Sequence, residues 1–181
     1  MSAFAPSVAD RFLDLNDLLR DLVAQGRLLQ ETAEQCLTLR RGTTASQQHP
    51  LEFLAAQQLD DLTRPGKKLD LETLSLWLAE QAGQPYLRID PLKINVAAIT
   101  PLMSYAFAQR HKILAVAVDS SAVTIASAQP FVKSWEANLT HVLKRPIKRV
   151  VANPAELQRF TVEFYRLAKS VSGATATDQK V

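Results

Sequence analysis

The densest group of side chains able to do chemistry is Lys144-Arg145-Pro146-Ile147-Lys148-Arg149. Four cations this close together attract carboxylates and phosphates and can form charge-assisted hydrogen bonds with them. Lys144, Arg145, Lys148 and Arg149 are therefore the candidate docking patch for an acidic protein or a phosphate-bearing surface. The plainer reading of the same residues is a helix end followed by a strand in water, because cations suit the last turn of a helix. Strand alternation places Ile147 and Arg149 on one face, with Lys148 and Val150 on the other.

No other grouping supports catalysis. Pro65-Gly66-Lys67-Lys68 contains a Gly-Lys pair, but lacks the upstream glycine and the hydroxyl of a phosphate-binding loop, so it reads as a boundary turn. His49, His111 and His141 are far apart and form no pair spaced for one metal ion, which makes them surface or capping residues. Asp60-Asp61 and Glu31 with Glu34 are acidic neighbours explained by solvated helix faces and ends. Cys36 is the single cysteine, which excludes an internal disulfide, and its place in a helical pattern predicts a buried or half-buried thiol. Trp77 and Trp135 flank apolar stripes and read as core or interface anchors. The expectation is no catalytic residue, no metal and no cofactor in this chain.

The elements that must carry the basic cluster lie between residues 113 and 168. Ile113-Leu114-Ala115-Val116-Ala117-Val118 and Val123-Thr124-Ile125-Ala126, separated by Asp119-Ser120-Ser121-Ala122, predict a hairpin. A helix with Val132, Trp135, Leu139, Val142 and Leu143 on its apolar side follows Pro130, and a third strand spans residues 147–151. Asn153-Pro154-Ala155-Glu156 is a helix start, and Leu157, Phe160, Thr161, Phe164 and Leu167 share the face of the helix it opens. Upstream, residues 8–25, 31–41 and 50–59 read as three helices, with Phe12 and Leu39 among their apolar positions. Asp70 opens a fourth helix that Gly83 closes, residues 85–89 are extended, and residues 100–110 form a helix begun by Thr100-Pro101.

With 181 residues, 47% hydrophobic and 22% charged, the chain is that of a soluble protein of one ordinary or two small domains. The expected class is α+β: a small helical bundle over residues 1–66, then a compact domain over 67–169 with a short, mainly antiparallel sheet packed by helices. Residues 170–181 are mostly Ser, Gly, Ala, Thr, Asp, Gln and Lys and read as a flexible linker or tail. A net charge of +3 is compatible with an acidic partner but not with the dense basic stripe of a nucleic-acid binder. The first ten residues lack the pattern of a signal peptide, and no run reaches the roughly 18 apolar residues of a membrane span, so a cytoplasmic location is expected.

Leu78-Ala79-Glu80-Gln81-Ala82-Gly83-Gln84-Pro85-Tyr86, followed by Ile89-Asp90-Pro91-Leu92-Lys93-Ile94, resembles the N-terminal domain of the type II secretion and type IV pilus assembly ATPases. In that family a helix ending in Leu-Ala-x-x-x-Gly-x-Pro-Tyr leads to a strand and an Asp-x-x-x-Ile turn. A helix, a hairpin, a helix, a strand and a final helix closing on a tyrosine follow, as residues 100–165 do here. The chain departs from the pattern at Gln129-Pro130, where Asp-Pro is usual, and at Ile113, where proline is common.

The resemblance implies a non-catalytic docking or regulatory region, with the catalytic domain and its ATP and Mg²⁺ absent from this chain and residues 170–181 leading towards it. The implied partners are the cytoplasmic part of an inner-membrane platform protein and the ATPase domain in cis, at the inner membrane but not inserted in it. Some relatives bind cyclic di-GMP through a repeated Arg-Leu-Gly-x-x-Leu-Val-x-x-Gly motif, and a sensor of that nucleotide is the alternative reading. Here Asp17-Leu18-Leu19 precedes Leu22-Val23-Ala24-Gln25-Gly26, and a second copy is His49-Pro50-Leu51 leading to Leu54-Ala55-Ala56-Gln57-Gln58. The absent arginines and glycines count against the nucleotide, because an anion needs the cation and the close backbone approach.

Overall fold

The computed structural model describes residues 9–42 and 48–178, with side chains up to residue 172. Four helices come first: α1 (Leu15–Ala24), α2 (Gln30–Arg41), α3 (Pro50–Ala56) and α4 (Leu71–Ala82). Asp14 and Asp70 cap α1 and α4 through their carboxylates, and Gly83 closes α4 in the left-handed conformation at φ 65°. Leu19, Leu22, Leu51, Leu54, Leu74 and Leu78 are fully buried at the centre of one core. Leu69 and Trp77 belong to it too, so α4 packs with α1–α3 although the Pro65-Gly66 turn precedes it. That turn opens a polar crossing between α3 and α4, pinned on buried Asp61, which accepts from Thr63, Arg27 and Arg64.

The second half is α5 (Val96–Ile99), a short 3-10 turn, α6 (Tyr105–His111), β1 (Ile113–Val118), β2 (Val123–Ser127), α7 (Ser134–Leu143), β3 (Ile147–Val151) and α8 (Pro154–Asp178). The class is α+β. The sheet is mixed rather than mainly antiparallel: β1 and β2 form the expected hairpin with a bulge at Val116, while β3 returns through α7 to lie parallel to β2. Asp119 fixes the hairpin turn by accepting from the N–H groups of Ser121 and Ala122 and the Ser121 hydroxyl, which hold its carboxyl at about 2. Leu114, Ile125, Val123, Trp135, Phe160 and Phe164 are among the buried members of the second core. The extended 85–87 segment bonds the end of β3, with Leu87 N–H to Val151 O and Val151 N–H to Pro85 O, both at 2.8 Å. Val151 itself packs in the first core, so the two cores meet at this strand.

Several local expectations are corrected. Helix α1 begins at Leu15, not before it, because Asp14 caps it; residues 9–14 lie outside any helix, and Phe12 is exposed. The single helix over 100–110 is broken at Met103, since the Ser104 hydroxyl caps α6 afresh. Leu39, Val142 and Leu167, read as core-facing, are exposed. Helix α8 continues to Asp178, where a flexible tail was expected over 170–181; once begun, a helix extends without further apolar packing. Val8, the expected loop over 43–47 and residues 179–181 of the expected tail lie outside the described residues.

Candidate functional site

The four candidate docking cations separate into two groups. Lys144 closes α7 in the left-handed conformation and is exposed; Arg145 is half-buried and Lys148 points to solvent from β3. None of these three makes an ion pair among the described residues. Arg149 turns inward. Its Nη1 donates to Val132 O and Glu136, its Nη2 to the Ser127 hydroxyl and Gln129 O, and the guanidinium lies 4.6 Å from the Trp135 ring centre. Alternation assigned its face correctly, but that face is covered by the β2–α7 connection, and Arg149 holds that connection down.

The same connection, residues 128–134, receives the first half of the chain. Asp10 accepts from the backbone N–H of Lys133 and Ser134 at 2.8 and 2.9 Å and so caps α7 from a distance of over 120 residues. The Ser134 hydroxyl and these two N–H groups hold its carboxyl below the usual range. Arg11 N–H bonds Phe131 O with its guanidinium over the Phe131 ring, and Leu13 N–H bonds the Gln129 side chain. From α4's end, Gln84 donates to Pro130 O.

Between these elements lies a cleft of about 690 Å³, bounded by Asp10 and Phe12, the end of α2, the start of α3, the end of α6 and the start of α8. Arg40, Arg110 and Lys112 supply positive charge, and Asp10 and Glu52 oppose it. Burial pushes the Glu52 carboxyl up, partly offset by Lys112. Burial also lowers His111, with Arg110 adding to the effect; its ring lies 4.4 Å from that of Phe107, tilted by 47°. Such a mixture of cations, amides and apolar walls can hold a small anionic ligand.

His49 stands in this cleft as the cap of α3. Its Nδ1 accepts from Leu51 N–H at 3.1 Å, which leaves Nε2 as the protonated nitrogen, donating to Ala128 O at 2.7 Å. It is a capping residue, as the sequence indicates, but one shared with the other half of the chain. His141 is exposed on α7. Cys36 is buried, which pushes its thiol up. Trp77 is buried with its Nε1 donating to Gln25, and Trp135 is buried in the second core. Asp60 pairs with Lys68, while Glu31 and Glu34 are exposed on α2. Sequence reasoning missed Asp10, Arg40, Arg110 and Lys112, because the elements that gather them are distant in the chain.

The repeat-like segments are also located. Gly26 ends α1 at φ 72°, and Gln58, at the corresponding place after α3, adopts φ 52° without being glycine. Asp17 and His49 stand where the motif has arginine, and neither supplies a guanidinium.

Residues 82–171 match the MshEN domain model. The chain is 37% identical over 160 residues to the type IV pilus assembly ATPase TfpB of Acinetobacter baylyi, covering 88% of this chain and 27% of that protein. It therefore spans about a quarter of the length of this curated relative. Its fold is similar to a solved structure of MshE with cdg, at 18% identity and a TM-score of 0.54 over 84% of this chain and 99% of the other. A structure of the N-terminal domain of XpsE also matches, at 15% identity and a TM-score of 0.48, over 83% and 96% of the two chains.

Proposed function

The chain belongs to the type II secretion and type IV pilus ATPase family as an MshEN-bearing N-terminal region, and from that premise we propose that it is a non-catalytic docking module for the cytoplasmic part of an inner-membrane platform protein. The observation that carries this reading is the corner between α7 and β3, where exposed Lys144 and Lys148 and half-buried Arg145 stand without ion pairs among the described residues. Cations held in no ion pair are available to steer and hold an acidic partner surface, although Lys148 also helps lower the Asp119 carboxyl. Arg149 fixes the shape of that corner from beneath. ATP and Mg²⁺ belong, on this reading, to a catalytic domain of the full-length protein. No helix among the described residues is long and apolar enough to cross a membrane, which fits a module that reaches the membrane through its partner.

The test is binding of the chain to the purified cytoplasmic domain of the platform protein, measured by calorimetry at low and high salt. Binding that weakens with salt, and that is lost in the Lys144→Glu, Arg145→Glu, Lys148→Glu triple variant, is the expected result. Wild-type binding absent at high micromolar concentration, or unchanged by charge reversal, refutes the assignment of the patch.

A second reading, a cyclic di-GMP sensor, is favoured by one observation: the 690 Å³ cleft lies beside His49-Pro50, with Arg40, Arg110 and Lys112 on its walls. Against it stand the absent motif arginine and Gln58 in the place of glycine. Calorimetry with cyclic di-GMP decides it, since no heat at millimolar nucleotide ends the second reading and leaves the first untouched.

A further inference from the structure

The strongest feature that docking does not use is the placement of His49, a titratable ring that serves both halves of the molecule at once. Its Nδ1 ends the row of free N–H groups at the start of α3, and its Nε2–H reaches across the cleft to Ala128 O. The Nδ1 bond requires a neutral ring, whereas the Nε2–H bond to Ala128 O is made by either form. We propose that His49 is a proton-operated latch: uptake of a proton at Nδ1 breaks the cap on α3 and, by driving Leu51 N–H and the first turn of α3 away from the ring, loosens the helical half from the 128–134 connection.

The step is simple in its chemistry. A proton from solvent adds to the Nδ1 lone pair that now accepts from Leu51 N–H, so two N–H groups face each other at 3.1 Å or less unless the ring swings away. The surroundings do not favour the imidazolium. Lys112, at the end of α6, faces the ring with its positive charge, and Arg110 and His111 line the same wall. Arg40 stands on the α2 side; Glu52 of α3 and Asp10, ahead of α1, are the carboxylates of the cleft. Asp10 is committed to the start of α7, and Glu52 is itself pushed towards its neutral form. The Ala128 carbonyl of the 128–134 connection favours the charged ring but is outweighed by burial, and the α8 wall offers Pro154, Leu157, Gln158 and Thr161, none of them charged.

Burial lowers His49 from its ordinary 6.5, with Lys112 acting in the same direction and the Ala128 bond opposing. A folded value below the free value means that closure is complete above about 6.5 and is lost as pH falls through the folded value. Between about 6.5 and the folded value each one-unit fall in pH multiplies the open-to-closed ratio by up to about tenfold, and below the folded value the ratio levels off. This inference is independent of the docking reading, because it concerns only the contact between the two halves of this chain.

The experiment is a distance measurement between spin labels at Ala56→Cys on α3 and Asn138→Cys on α7, in a Cys36→Ala background, from pH 7.5 to 5.0. The wild-type ring should give a longer, broader distance distribution at low pH, and His49→Gln, which keeps a neutral donor towards Ala128, should hold the pH 7.5 distance throughout. A wild-type distance unchanged at pH 5.0, or an equal shift in His49→Gln, overturns the latch. Should His49→Gln fail to fold, ring ¹⁵N shifts of the wild-type protein decide alone. Neutral Nε2–H at pH 7.5, with protonation coincident with the distance change, supports the latch; a charged ring at pH 7.5, or protonation without movement, overturns it.

Discussion

Replacing Arg149 by alanine should destabilise the protein by about 3–5 kcal/mol, the usual cost of removing one partner from a buried, hydrogen-bonded ion pair. The side chain is 9% exposed, and Glu136, its carboxylate partner, is 33% exposed. Truncation strips donors from two backbone carbonyls, Val132 and Gln129, from the Ser127 hydroxyl and from Glu136. Hydrogen bonds to a charged group contribute about 1.5–3 kcal/mol each, but bonds from one guanidinium share their desolvation and do not add. Loss of the Trp135 contact adds about 0.5–2 kcal/mol before the same discount. Lysine cannot replace the fork, because a point ammonium reaches one or two of four acceptors arranged around a plane. Arg149→Lys should therefore lose about 2 kcal/mol or more. Urea denaturation at neutral pH reads this as a fall in midpoint at constant slope. Lys144→Ala and Lys148→Ala, measured beside it, should stay within about 0.5 kcal/mol of wild type, as exposed substitutions do. An Arg149→Ala midpoint within error of the lysine controls, or full stability of Arg149→Lys, would show that Arg149 belongs with the outward cations after all.

Three further outcomes are expected. Asp61→Ala should cost about 2–4 kcal/mol, because Arg27, Arg64 and Thr63 all converge on a carboxylate with no exposed side-chain surface. The Asp61 carboxyl is lowered by its hydrogen bonds to Thr63 and Arg64 and by Arg27, despite burial that pulls the other way. Its contribution is therefore present above about 3.8 and lost as pH falls through the lower folded value, and acid titration of wild type against Asp61→Asn measures it. Gln58→Gly should raise stability by about 0.5–1 kcal/mol by relieving the left-handed backbone at φ 52°, and an unchanged or lower melting temperature contradicts that. Phe164→Ala should cost about 3–5 kcal/mol while Leu167→Ala costs under about 1 kcal/mol, and equal losses would mean that α8 is rotated from the face described.

Legibility in the sequence followed the range of the interaction. The hairpin could be read because two β-branched runs flank a four-residue polar turn, and Asp119 needs only its neighbours Ser121 and Ala122 to close it. The starts of α4 and α8 were equally local, written in Asp70 and in Asn153-Pro154. Residues 9–14 were misread because their apolar spacing continues that of α1, while the bonds that hold them out of the helix come from Gln129, Phe131 and the N–H groups at the start of α7. Arg149 shows the same limit at the candidate site. Its strand face was legible, but what covers that face is a connection made elsewhere in the chain. The cleft was not legible, since Arg40, Arg110, Lys112 and Asp10 share no spacing that a periodicity could reveal.

The seating of Val151 bears on how this protein can be dissected. Its backbone is stitched into the sheet while its side chain fills the core made by α1–α4. A cut at Pro65-Gly66 would leave α4 attached to the sheet with Leu74, Trp77 and Leu78 bared, and the remnant would present a sticky apolar wall that the intact chain never shows. Capture of a partner by such a remnant would report that wall rather than a native contact. Surface substitutions in the whole chain are the sound instrument for mapping what it binds.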